Sequence, residues 1–171
     1  IRLAALKGNY TIVNYLIEKG NELSSYLFAN CSKLTQIKLS SNTTKINEGL
    51  FQGCSSLQQI SIPSSVASIG MNAFYECSLI TELVIPSSVT IIEEGTFYKC
   101  ESLTKISIPE SVTSIGRSAF YGCISLINVN LPSQIQKIEE DTFRKCTSMK
   151  QINIPLNLTK IELNAFCECA S

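Results

Sequence analysis

A chain of 171 residues with 14 basic and 14 acidic side chains has no formal net charge and no Lys/Arg run. It lacks the basic footprint of a nucleic-acid binder. It also contains no His, which removes the usual general base and the commonest metal ligand and leaves no Ser–His or Cys–His nucleophile pair. No catalytic residue, cofactor or metal is therefore expected. No apolar stretch approaches the roughly 20 residues that cross a bilayer, so membrane insertion by this segment is not expected either.

The chain opens on Ile1-Arg2-Leu3-Ala4-Ala5, without an initiator Met or a signal-peptide pattern, as a piece of a longer protein would. Two short helices are predicted over residues 1–20. Ala4 and Ala5 allow close helix packing, Gly8-Asn9 makes a turn, and Ile12, Val13, Leu16 and Ile17 form an i, i+1, i+4, i+5 stripe. Gly20 suits a helix C-terminal cap. The pattern Leu3-Ala4-Ala5-x-x-Gly8-Asn9-x-x-Ile12-Val13-x-x-Leu16-Ile17-x-x-Gly20 resembles the two helices of an ankyrin repeat. That resemblance makes residues 1–22 a partial ankyrin repeat, the final unit of an array. Any amphipathic helical hairpin could serve equally as an N-terminal cap. With only Asn21 and Glu22 before Leu23, the helices are expected to pack on the segment that begins at Leu23 and to shield its edge.

From Leu23 onward a 23-residue beat runs without insertion or deletion. All seven Phe keep it, from Phe28 to Phe166, as do seven of the eight Cys, from Cys31 to Cys169, and all five Pro, from Pro63 to Pro155. A fixed period of this length marks a solenoid whose repeats pack only on their neighbours. In Leu103–Cys123, Ile106 and Ile108 alternate with Lys105 and Ser107, the period-two pattern of a half-buried strand. Pro109 ends that strand. Val112 and Ile115 suggest a second, shorter strand, Gly116 suits a turn, and Ser118–Cys123 has the spacing of a short helical turn. Stacking then builds five core ladders: Ile37 to Ile152, Leu39 to Ile154, Ile46 to Ile161, the Phe and the Cys.

The repeat Leu-x-x-Ile-x-Ile-Pro-x-x-Val-x-x-Ile-Gly-x-x-Ala-Phe-x-x-Cys resembles the BspA-type (Treponema-type) leucine-rich repeat over residues 23–171. The departures are mild: Ser40 stands for the proline, Thr43 for the valine, and Ile80 and Met149 for the leucine. The resemblance implies a right-handed leucine-rich-repeat solenoid with a parallel sheet on its concave face. It also implies a group abundant in bacterial surface proteins and parasitic protists, some of which bind host matrix proteins or other cells. The last residues stop where the next Leu-x-x-Ile would begin, so the array is expected to continue and its bare edge to favour end-to-end association.

Several candidate sites have plain structural readings. Cysteines stacked at one repeat position point the same way, against disulfide geometry, and read as buried free thiols. Cys167-x-Cys169 has no second pair to complete a zinc site. Lys137 and Lys160 lie two residues before Glu139 and Glu162 and read as a solvated, charge-balanced face. Tyr75, Tyr98 and Tyr121 follow the Phe and either line an exposed edge or pack half-buried. Asn9, Asn30, Asn42 and Asn157 sit in N-x-Ser/Thr sequons, which chance explains in so Ser/Thr-rich a chain.

The candidate binding residues are the outward strand positions. One row is Gln36, Gln59, Glu82, Lys105, Asn128 and Gln151; the other is Lys38, Ser61, Val84, Ser107, Asn130 and Asn153. They offer a polar, nearly neutral surface without aromatic anchors, which implies multivalent contacts or contacts elsewhere in a longer array. Function is expected to be non-catalytic protein binding. The resemblance favours a BspA-like cell-surface protein contacting host matrix or cells. The ankyrin pattern and free thiols favour an intracellular scaffold instead. A targeting arm of an enzyme whose catalytic domain lies outside these residues is the third class.

Overall fold

The computed structural model describes residues 1–20 and 22–169; Asn21, in the link between helices and repeats, and the terminal Ala170 and Ser171 lie outside them. Two helices, α1 (Arg2–Leu6) and α2 (Tyr10–Glu18), precede twelve short strands. Six strands of three residues form a first parallel row: β1 (Gln36–Lys38), β3 (Gln59–Ser61), β5 (Glu82–Val84), β7 (Lys105–Ser107), β9 (Asn128–Asn130) and β11 (Gln151–Asn153). Six of two residues form a second row: β2 (Lys45–Ile46), β4 (Ser68–Ile69), β6 (Ile91–Ile92), β8 (Ser114–Ile115), β10 (Lys137–Ile138) and β12 (Lys160–Ile161). Pairing is parallel with like residue on like: Ile37 on Ile60, Leu83 on Ile106, Val129 on Ile152, Ile69 on Ile92 and Ile138 on Ile161. This is a solenoid of 23-residue coils led by a helical hairpin.

The predicted ladders fill the core. Phe28 through Phe143 are buried, and successive rings stack with centroids 5.4–5.7 Å apart. Two further ladders belong with them: Leu34, Leu57, Ile80, Leu103, Leu126 and Met149, and Val66, Val89, Val112 and Ile135. The ladder through Leu39 is less regular, since Leu39, Ile85 and Leu131 are buried but Ile62 and Ile108 only half so.

One local expectation is corrected. Ser118–Cys123 forms no helix. Ser118 and Gly122 both take left-handed backbone, with φ of 53° and 68°, which a right-handed helix does not accommodate. The arc instead alternates its bonds. Ser118, Phe120 and Gly122 donate their N–H forward to Glu140, Thr142 and Arg144, while Ala119, Tyr121 and Cys123 donate back three residues within their own coil. Gly116 opens a turn as expected, its carbonyl accepting from the Ala119 N–H, and it also permits close approach: a Cβ there would lie 2.6 Å from the Glu94 nitrogen.

The hairpin packs on the first coil. Val13 and Ile17 are buried and Leu16 is half-buried, whereas Ile12 of the predicted stripe is 46% exposed. Asn9 caps α2 by accepting from the Ile12 N–H. Gly8, at φ +73°, lies so close to the coil that a Cβ would come 2.8 Å from the Lys33 carbonyl oxygen. The Arg2 guanidinium donates to the carbonyls of Tyr26, Leu27 and Ala29, and Asn14 Oδ1 accepts the Lys38 N–H.

Because each coil rests only on its neighbours, position along the stack sets the cost of a cavity. Phe97→Ala, in a fully enclosed coil, should lower unfolding free energy by about 3–5 kcal/mol. Phe166→Ala, at the half-buried end of the stack, should cost clearly less. Denaturant titration of the two variants checks both; equal losses would contradict a core built from serial ladders.

Candidate interaction face

The strand register collects all twelve outward residues on one face of the first row. Gln36 meets Gln59 and Lys38 meets Ser61; Glu82 meets Lys105 and Val84 meets Ser107; Asn128 meets Gln151 and Asn130 meets Asn153. Gln36 is half-buried and the other eleven are exposed, while the residue between each outward pair points into the core. That alternation is the pleat acting on an apolar/polar pattern.

At the β1 end the face is bordered by α2. Glu18 lies 3.8 Å from the Lys38 ammonium, beside the Asn14 bond to the Lys38 backbone. An open groove runs from Asn14 across Gln36 and Gln59 to Glu82. The repeat pattern could not have pointed to Asn14 or Glu18, because the hairpin stands outside the period.

Other candidates are built into the scaffold. Lys137 sits between Glu139, at 2.9 Å, and Glu162, at 2.7 Å, and Lys160 reaches Glu162 at 2.8 Å. The hydrogen bonds from Lys137 and then Lys160 hold the Glu162 carboxyl below its ordinary range. The tyrosine rings stack on one another: Tyr75 and Tyr98 at 4.5 Å, Tyr98 and Tyr121 at 4.7 Å, with Arg144 over the Tyr121 ring at 5.9 Å. All three are half-buried. Of the sequon residues, Asn157 donates to the Ser133 carbonyl and Asn9 is the helix cap. Among the described residues no group of three His, Cys, Asp or Glu could hold a metal, and no helix is long and apolar enough to cross a membrane.

All eight cysteines are free; six are buried, Cys169 is half-buried and Cys167 exposed. Each thiol from Cys54 onward on the 23-residue beat donates to the Phe carbonyl 26 residues earlier, at 3.1–3.2 Å. The position thus calls for a small apolar side chain that also carries a donor, a bond the spacing alone did not disclose.

Sequence comparison agrees with the geometry. The profile of the BspA type leucine rich repeat region matches residues 21–126 and 68–171, in six copies. The chain belongs to the BspA-type leucine-rich repeat family. A leucine-rich repeat protein of T. pallidum is similar at 29% identity and a TM-score of 0.77, over 81% of this chain and 65% of that one. A leucine-rich repeat protein of Bacteroides ovatus is similar at 30% identity and a TM-score of 0.52, over 85% of this chain and 50% of that one. The chain therefore spans between half and two thirds of these relatives. No curated protein matches it in sequence. The fold is that of a leucine-rich-repeat protein and is consistent with a protein-interaction module.

Desolvation by burial pushes the Cys54 thiol up to about 12 and raises Cys31, Cys77, Cys100, Cys123, Cys146 and Cys169 for the same reason. The folded state holds these protons and the unfolded chain releases them from about pH 8.5 upward, so stability is fully present below that pH and lost above it. The denaturation midpoint should fall between about pH 8.5 and about pH 10, and fall less for a Cys100→Ala/Cys123→Ala variant. A midpoint flat over that window would contradict buried protonated thiols.

Proposed function

We propose that this stretch is a non-catalytic protein-binding module of a surface-exposed BspA-like protein, and that it presents the outer face of the first row to a protein of a host cell or matrix. The observation that carries the reading is the register, within three parallel strand pairs, of twelve outward side chains that the core does not use. Across six copies the inward residue stays Ile, Leu or Val, while its outward neighbours range over Gln, Lys, Ser, Glu, Val and Asn. A zero net charge favours a protein over a nucleic acid as partner. Individually weak polar contacts repeated along a rigid face gain affinity through multivalency.

A second reading is an intracellular scaffold, with residues 1–22 as the last unit of an ankyrin array. The ladder of buried free thiols favours it, since thiols persist in reducing compartments. An impermeant protease applied to intact source cells carrying the tagged full-length protein separates the two. Loss of the repeats with cytosolic markers intact is the expected outcome; protection until lysis would establish the scaffold reading instead.

Self-association of this stretch also has support. At the last described coil Ile161 is 52% exposed where Ile138 is 1%, and Ile154 is 42% where Leu131 is 4%. β11 and β12 each pair on one side alone, as do β1 and β5, and an unpaired strand side can accept another strand. Light scattering should show mass rising with concentration; a monomer at every concentration would refute it.

A further inference from the structure

We propose that the recognition centre of this face is Val84 with Glu82 and Lys105, and that it takes an extended protein segment carrying a basic residue two positions from an apolar one. The proposal rests on the face being the binding surface and names what that surface selects. Val84 is 71% exposed and is the single apolar residue among the twelve outward positions. Its register partner Ser107 is small, and so is Ser61 one repeat earlier, so its methyl groups are not covered by a large neighbour.

The charges beside Val84 are available. Glu82 and Lys105 are register partners on adjacent strands, yet among the described residues neither makes an ion pair or a side-chain hydrogen bond. Lys99, Arg117, Lys137 and Arg144 elsewhere are each held by a carboxylate. A segment lying along β5 in extended form places side chains i and i+2 on one side about 6.6–6.8 Å apart, the spacing from Glu82 to Val84 along the strand. A Lys or Arg then meets Glu82 while an aliphatic or aromatic side chain covers Val84, in either chain direction. An acidic group of the partner meets Lys105.

The two ends of the face are less selective. At one end Lys38 is engaged by Glu18 and Asn14. At the other, Asn128, Asn130, Gln151 and Asn153 form a set of exposed amides without charge, which can bond to any polypeptide backbone. Discrimination between partners falls to the centre, where complementary charge and one apolar contact coincide.

A random peptide library displayed on phage and panned on the intact chain tests this, with dissociation constants of the synthesised winners read by titration. Expected winners carry Lys or Arg two residues from an apolar side chain. Val84→Ser should weaken them about tenfold or more, and the Glu82→Lys/Lys105→Glu double variant should select acidic residues where the parent selects basic ones. Circular dichroism confirms that these exposed substitutions leave the fold intact. Winners without the pattern, or winners indifferent to Val84→Ser, overturn the proposal. If such winners are lost on Asn130→Ala/Asn153→Ala, the face still binds and only its centre is refuted. If they respond to neither, or no winner emerges, the face itself is refuted.

Discussion

The backbone bonds between neighbouring coils require every coil to be the same length. The Phe28 N–H reaches the carbonyl of Leu50, Phe97 that of Ala119, and Phe143 that of Ala165, always 22 residues on. One inserted residue in an arc would offset these donors from their acceptors and move each inward side chain out of its ladder. Equal length also places like on like, which is why the Phe rings stack nearly parallel and why a thiol always finds a Phe carbonyl. An arc that alternates its bonds between its own coil and the next leaves few backbone groups to bury unpaired, and burying one is costly.

The same constraint creates a problem at the first coil, whose arc carbonyls have no preceding coil to serve them. Leu50 and Gln52 accept from Phe28 and Asn30 one coil back; the corresponding carbonyls of the first coil are those of Leu27 and Ala29. Arg2 donates to both. On the strand side the Lys38 N–H lacks an earlier strand, and Asn14 supplies the acceptor. Two side chains of the hairpin thereby stand in for a missing coil, one as donor and one as acceptor, which blunts an edge that would otherwise pair with another chain.

Much of this was legible because the period repeats the signal. A single Ile106-x-Ile108 is a weak strand indication, but six aligned instances, five of them with Pro following, fix the strand, its inward face and its register together. The arc was harder. Its shape depends on left-handed residues at two places per coil, filled by Gly49 and Gly53 in one, Asn72 and Glu76 in the next, and Ser118 and Gly122 later. Glycine would have marked the turn; Glu76 and Lys99 at left-handed φ hide it, because the neighbouring coils impose a conformation that their own preferences do not. Arg2 and Asn14 were invisible for a different reason, since a capping partner outside the repeat has no copy to compare with. The outward face could be read as a list of residues from the pattern, whereas its border with α2 needed coordinates.

The copies within one chain also separate what the fold requires from what it permits. At the Phe and Cys positions nothing varies, and both side chains are enclosed in every coil but the last described one, where Phe166 and Cys169 are half-buried. At the position after Phe the chain places Ala29, Gln52, Tyr75, Tyr98, Tyr121, Arg144 and Cys167 in turn; an aromatic there stacks when its neighbour is aromatic but is not needed for the coil to close. The outward strand positions go further, because a side chain standing on the solvent side of a two-sided strand changes neither the register nor the core packing beneath it. Such positions can carry charge, amide or aliphatic groups at little cost to stability. The chemistry displayed along the first row is therefore set almost independently of the scaffold, and a rigid array with a variable face can be fitted to a partner without being refolded.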